Sequence, residues 1–137
     1  MKLRSTLPAA ALLLAATAPP IVAADVIVPV PSGQTVAWID TVQGEQGPAG
    51  LTLRFRFLAP AIARDGSTVT PEQAQADMQA LCDGFALDRV PVHGPQPGQI
   101  VIILSDRPVE FGAVEPDATQ FFEAYSIKDG ACVWEIF

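Results

Sequence analysis

A chain of 137 residues with two cysteines and a formal net charge of −7, half of it hydrophobic, has the make-up of one small globular domain. Its acidity excludes nucleic acid and anionic lipid as natural partners, because such a surface repels phosphate groups. We therefore expect no nucleic-acid partner. The acidic character mainly favours solubility, although a basic partner or a metal cation would be attracted.

Residues 1–24 have the pattern of a secretory signal peptide. Lys2 and Arg4 form a basic start, a short apolar run follows, and small residues lead up to Ala24. This predicts cleavage after Ala24, export to the periplasm, and a single mature domain over residues 25–137. No apolar segment reaches the roughly 20 residues that a membrane span needs, so we expect no stable membrane insertion after cleavage.

The mature domain is predicted to begin with strands. Residues 25–34 include Pro29 and Pro31, which cannot donate to a sheet, so this is an extended lead-in or at best an edge strand. Residues 35–43 have the β-branched and aromatic content of a strand. After a glycine-rich loop, residues 51–58 alternate between apolar and polar, which predicts a half-buried strand that forms a hairpin with the strand before it.

The clearest helix signal begins at Thr70. Thr70 is placed to cap the helix, Pro71 suits its first position, and Gln73 completes a capping box. Apolar residues then follow at helical spacing and predict a buried stripe: Ala74, Met78, Leu81, Cys82 and Phe85. The polar residues between them are expected to face water: Gln75, Asp77, Gln79 and Asp83.

The middle of the chain is less regular. Residues 88–99 contain three prolines and two glycines, and we expect no regular structure there. Residues 99–104 are apolar at nearly every position, which predicts a central strand that is covered on both faces. A short strand over 109–111 is compatible with the pattern.

The C-terminal part predicts a hairpin. Residues 121–127 and 132–137 flank a Lys-Asp-Gly sequence, whose Asp-Gly pair is a strong turn signal. An amphipathic helix over 117–125 is the alternative for the first of these segments. If the second is a strand, alternate residues should face the helix together: Cys132, Trp134 and Ile136.

Cys82 and Cys132 are the two cysteines of the chain, and in an oxidising compartment an even pair predicts one disulfide. Their spacing fits neither a redox motif nor a zinc site. Because Cys82 lies on the predicted buried stripe, the bond would tie the helix to the last strand. The predicted fold is therefore α+β, a mostly antiparallel sheet with one main helix packed on one face.

The sequence contains no catalytic, nucleotide-binding or metal-binding motif that we recognise. His93, the single histidine, lies in a proline-rich loop without a neighbouring nucleophile, and we assign it no role. We therefore expect no cofactor and no metal site, and we expect the protein not to be an enzyme.

Two groups of residues are candidates for binding. Arg54 and Arg56 share the polar face of one predicted strand, and Arg107 lies in a turn. These arginines either pair with acids of neighbouring strands or grip a carboxylate or phosphate ligand. One helix covers only one face of a sheet, so Phe122 and Phe137, with Val133, either form an exposed partner surface or lie under the proline-rich loops as a second core layer.

Several strings of the chain resemble a family of small exported alphaproteobacterial proteins of unknown function. They are LRFRFLAP at 53–60, ARDG at 63–66, SDRPVEFG at 105–112, FFEAY at 121–125 and CVWE at 132–135. These strings cover most of the mature domain and include no known catalytic motif, so the resemblance implies no active site.

Two functions remain open on the sequence. The first is a periplasmic, non-enzymatic binding or accessory module that acts through protein contacts. The alternative is a small ligand-binding protein or enzyme with an arginine-lined site. A contiguous exposed apolar patch over the C-terminal hairpin would favour the first, and a concave pocket where arginines converge without carboxylate partners would favour the second.

Overall fold

The structure, a computed structural model, describes residues 26–44 and 50–136. The predicted leader, its cleavage site and Phe137 lie outside the described residues. Within these ranges one sheet of six strands forms the frame of the domain, and its spatial order follows the chain. The strands are β1 (Val26–Ile27), β2 (Ala37–Gln43), β3 (Leu51–Leu58), β4 (Pro97–Ser105), β5 (Gln120–Lys128) and β6 (Ala131–Trp134).

Every neighbouring pair of strands is antiparallel except β3 and β4, which run parallel. The predicted α+β fold with a mostly antiparallel sheet is thus confirmed. A parallel pair needs a long crossover, and the only long helix of the described residues lies in that crossover. It consists of α1 (Pro71–Leu81), a π-helical turn (Cys82–Ala86) and a 3-10 turn (Leu87–Arg89).

The start of α1 is as predicted. The Thr70 hydroxyl accepts the main-chain N–H of Gln73 at 3.1 Å, and the Gln73 side chain accepts the N–H of Thr70 at 2.9 Å. This reciprocal capping box satisfies two main-chain donors that the first helical turn leaves free, and Pro71 occupies a position where no N–H is needed.

The core lies between α1 and one face of the sheet. All five residues of the predicted helical stripe are buried. Phe85, in the π-helical turn, is the centre of an aromatic cluster, with ring centroids 5.5–6.3 Å from those of Trp38, Phe55 and Phe57. The sheet contributes buried side chains from three adjacent strands: Leu53, Phe55, Phe57, Ile100, Ile102, Leu104 and Tyr125.

The disulfide between Cys82 and Cys132 is present and ties the end of the helix to β6, with the two Cα atoms 6.1 Å apart. Two side chains of the helical segment strengthen this contact. Asp83 accepts the main-chain N–H of Cys132, and Gln79 donates to its carbonyl, each at 2.9 Å. The outward main-chain groups of this edge residue are therefore already bonded.

Asp77, predicted to face water, is fully buried, so that expectation was wrong. Its carboxylate accepts three hydrogen bonds, from the main-chain N–H of Ser32 at 2.9 Å, the hydroxyl of Ser32 at 2.5 Å and the side-chain amide of Gln34 at 2.7 Å. The segment after β1 crosses this side of α1, a long-range contact that helical periodicity does not reveal.

The C-terminal strand is shorter than predicted. β6 ends at Trp134, and among the three residues expected to face the helix only Cys132 is buried. Trp134 is 40% exposed and Ile136 is 78% exposed, which corrects the prediction. β6 is an edge strand that the helical segment contacts at Cys132, and no described residue of that segment covers Trp134 or Ile136.

The remaining differences concern β5 and its neighbours. Residues 109–111 form a loop instead of a short strand, and β4 begins at Pro97, two residues before the predicted start. The strand interpretation of 121–127 is confirmed over the helical alternative. The predicted turn before β6 is also confirmed, because Asp129 and Gly130 adopt φ values of 50° and 73°, as a tight hairpin turn requires.

Tyr125 supplies a first testable prediction. The side chain is fully buried, its hydroxyl bonds to no described protein group, and burial raises its pKa above the ordinary value. We expect Tyr125→Phe to leave the free energy of unfolding unchanged or raise it by about 1 kcal/mol, because a desolvated hydroxyl is removed and the ring is kept. Urea unfolding checks this, with Tyr125→Leu as the destabilised control. A loss above about 1 kcal/mol in the phenylalanine variant would show that the hydroxyl has a stabilising partner.

Candidate functional site

The face of the sheet opposite α1 carries no helix in the described part of the chain, and we call it the open face. Residues that lie opposite each other in the strand registers share this face. One row across it consists of Asp40, Arg56, Ile103 and Phe122, and the next of Val42, Arg54, Val101 and Ala124. Both candidate arginines of β3 therefore lie on the open face, beside an apolar strip from β4.

The loop between β4 and β5 covers part of the open face. Asp106 fixes the two ends of this loop together, since its carboxylate accepts the N–H of Thr119 at 2.8 Å and its own N–H donates to the Thr119 carbonyl at 3.0 Å. Farther along, Val109 is buried and its carbonyl accepts a hydrogen bond from the Arg56 guanidinium. The loop is thus held to β3 by an arginine side chain.

Phe111 extends this contact. Its ring centroid lies 6.0 Å from the guanidinium carbon of Arg54 and 5.9 Å from that of Arg56, at the outer range for cation–π attraction. More than half of the Phe111 side chain remains exposed. The Phe111 ring therefore lies over the two arginines and exposes its outer side to solvent.

Arg56 also has a carboxylate partner. Its Nε lies 3.4 Å from Oδ1 of Asp40 on the neighbouring strand, and the arginine side chain is only 12% exposed. This is the cross-strand ion pairing that the sequence offered as the first interpretation of these arginines. With one side on Asp40 and another on the Val109 carbonyl, Arg56 acts as a structural clamp.

Arg107 lies away from Arg54 and Arg56. It pairs with Asp106 at 3.1 Å and is half-exposed. Burial alone would raise the pKa of Asp106, but the hydrogen bonds from Arg107 and from the Thr119 N–H outweigh it and hold that pKa below its ordinary value. The same hydrogen bond raises the pKa of Arg107. The three candidate arginines therefore do not converge on one point.

A cleft of about 860 Å³ lies between the β1–β2 side of the sheet and the loop. Apolar atoms form much of its wall, and we call it the acidic cleft after its charged residues. The charged lining residues are Asp40, Arg56, Glu110 and Glu115. Three carboxylates face one guanidinium that is already paired, so the cleft favours a cationic or apolar group over an anion.

The structure also places the candidate aromatic residues. Phe122 is 58% exposed on the open face, and Val133 of β6, which lies opposite Ser126 of β5, is 41% exposed. Phe137 lies outside the described residues. Phe111, Glu110 and Glu115 line the cleft, although the sequence analysis did not select them as binding residues. A signal for Glu110 and Phe111 is the string 105–112, which combines a turn with an acidic and an aromatic residue, whereas Glu115 lies outside it.

The described residues show no arrangement for metal chemistry, since no group of three or more His, Cys, Asp and Glu side chains lies close enough together to hold an ion. His93 is exposed in its loop. In the ranges 26–44 and 50–136, no helix has the length and apolar character needed to cross a membrane.

Fold and site together define a small disulfide-tied α+β domain with one covered and one open sheet face. The chain belongs to DUF6497, a family of unknown function, whose family model matches residues 8–137. The resemblance to a family of unknown function is thereby confirmed, whereas bacterial source and export stay predictions. No curated protein and no solved structure matched significantly.

Proposed function

We propose that this domain is a non-enzymatic binding or accessory module of the periplasm that acts by contacting another protein through its open face. The observation that carries the proposal is the exposure of Phe122, a large aromatic side chain of β5 on the open face. Protein interfaces are enriched in aromatic residues and arginine, and their strongest contacts come from such residues.

Neighbouring residues support the same surface. Phe122 lies opposite Ile103 on β4, which itself lies opposite Arg56. Phe111 stands over the arginines on the other side of this apolar strip. Ile103 itself is buried, so the exposed apolar surface here consists of the two rings, Phe122 at 58% and Phe111 at 55% exposure, and exposed aromatic rings of this kind suit contact with a second protein.

Two further features support export. Residues 1–24 have the pattern of a cleavable leader, and the Cys82–Cys132 bond suits an oxidising compartment. An exported domain whose sequence carries no recognised catalytic motif fits a role in recognition.

An arginine-lined ligand site is the weaker candidate. Arg56 and Arg107 each have a carboxylate partner, and the cleft beside Arg56 carries more negative than positive charge. An anionic ligand would have to displace Asp40 and overcome Glu110 and Glu115.

The test is native mass spectrometry of the tagged protein taken gently from the periplasm of its own host. We expect a mass that begins at residue 25 and is two hydrogens short, together with a complex of defined stoichiometry with one partner. Phe122→Thr, which keeps a good strand residue, should weaken that complex by about tenfold or more.

The matched control is Val92→Thr, which changes another exposed hydrophobic residue in the proline-rich loop. This variant should bind the partner as the wild type does. A bare monomer, or a complex that Phe122→Thr leaves unchanged, would contradict the proposal.

A further inference from the structure

The two edges of the sheet differ in what they offer to another chain. At the β6 edge, the N–H and carbonyl of Cys132 are bonded to Asp83 and Gln79. At the opposite edge, β1 has only two residues and pairs with Ala37 and Trp38. Beyond Trp38, no described strand lies outside β2. Edge strands with free main-chain groups are templates for strand addition, so among residues 26–44 and 50–136 the segment 39–43 is the accessible edge.

The hydrogen-bond alternation of β2 shows which groups are available. The N–H of Gly44 donates to the carbonyl of Thr52 at 2.7 Å, and Val42 lies opposite Arg54. In an antiparallel ladder the residues between such pairs direct their main-chain groups to the other side. The N–H and C=O groups of Thr41 and Gln43 therefore point away from β3, toward the side of β2 on which β1 lies. Both side chains are exposed.

The charge beside this edge is negative. Asp40 and Ile39 of β2 line the acidic cleft, and Glu110 and Glu115 approach from the loop. Arg56, the cation of the cleft, is already paired with Asp40. The whole chain is acidic as well, with 15 acidic and 8 basic residues. Both the local and the overall charge favour a basic chain over an acidic or neutral one.

We propose that the edge of β2 over 39–43 and the acidic cleft together bind an extended, basic segment of a partner protein by strand addition. This rests on the proposed function and names the chemistry of the partner. The main chain of the segment bonds to Thr41 and Gln43. Its lysine or arginine side chains lie near Glu110 and Glu115, and its apolar side chains contact Phe111 and Ile39.

A set of synthetic peptides, about ten residues long, tests the proposal on the mature protein by calorimetric titration. The probe alternates lysine and valine. One comparison peptide has glutamate in place of lysine, and another carries N-methyl groups on alternate amides. We expect the lysine peptide to bind at least about tenfold more tightly than either comparison, and to weaken as salt rises to about 0.15 M.

Variants place the peptide on this edge. Glu110→Lys with Glu115→Lys should weaken binding of the lysine peptide by about tenfold or more. Asp65→Lys with Asp88→Lys makes the same change of net charge at exposed residues outside the cleft. This control pair should weaken binding of the lysine peptide by less than about threefold.

Thr41→Pro tests the backbone contact. Proline is tolerated at an edge where its missing N–H faces outward, but it removes a donor for the added strand. We expect Thr41→Pro to lose binding of the lysine peptide and Thr41→Val to retain it, with folding of both monitored by thermal unfolding. The cleft variants leave β2 intact, so they test the proposal even if Thr41→Pro does not fold.

Three results would overturn this inference. They are equal binding of the lysine and glutamate peptides, no binding of either peptide, and equal effects of the two charge-reversal pairs on binding. Such results leave the proposed function standing if the native complex still depends on Phe122. If the native complex is insensitive to Phe122→Thr but falls with Glu110→Lys and Glu115→Lys, the open-face proposal fails and the β2-edge site is supported.

Discussion

Breaking the Cys82–Cys132 bond is expected to lower the free energy of unfolding by about 4 kcal/mol. The bond closes a loop of 50 residues, and in the chain-entropy model this cross-link removes many conformations from the unfolded chain. The total free energy of unfolding of a small domain is only about 5–15 kcal/mol, so the expected loss is a large part of it. Urea unfolding of Cys82→Ser and Cys132→Ser measures it.

The two single variants should be destabilised equally, because each removes the same cross-link and both sulfur atoms are buried. The double variant serves as the control and should be little worse than either single one, since the bond can be lost only once. A free thiol detected in the native protein, or clearly unequal effects of the two substitutions, would contradict this account.

Asp77→Ala is expected to lower the free energy of unfolding by roughly 3 kcal/mol, the second largest effect. The substitution leaves three donors without their acceptor: the N–H and hydroxyl of Ser32 and the amide of Gln34. Hydrogen bonds to a carboxylate are stronger than those between neutral groups, and these partly buried donors carry a desolvation cost when they lose their acceptor. Urea unfolding measures the loss in stability.

A second readout distinguishes this anchor from general destabilisation. The amide of Ser32 should exchange with solvent faster in Asp77→Ala, because its acceptor is gone. Asp88→Ala makes the same chemical change at an exposed position and should alter stability by less than about 0.5 kcal/mol. If Asp77→Ala behaves like this control, the segment after β1 is not held by Asp77.

Local patterns predicted much of the fold. The alternation in 51–58 predicts the bounds of β3 correctly, although Thr52 of the polar face is buried, and the signals at Thr70 and Gln73 place the start of α1 correctly. Both depend on interactions between residues close together in the chain. The turn at Asp129 and Gly130 is of the same kind, because a tight hairpin requires positive φ values that few residues adopt.

Other features could not be read from local patterns. Asp77 has the spacing of a solvent-facing residue, yet a segment more than 40 residues away covers it. Likewise, Trp134 keeps the predicted alternation with Cys132, but the helical segment does not extend over it. Burial at such positions depends on which distant segment packs against them. The local pattern of a single sequence does not show which segments pack together.

The candidate site shows the same division. From the sequence alone, Arg54 and Arg56 share one face and Phe122 is a candidate for exposure, since alternation in a strand fixes the face of each residue. Only the tertiary structure brings Val109 and Phe111 onto those arginines and leaves 39–43 at an edge where the described part of the chain places no further strand. Local geometry determines the strands and the start of the helix, whereas the site depends on contacts such as those of Arg56 with Val109 and Phe111, more than 50 positions away, which form only when the whole sheet is assembled.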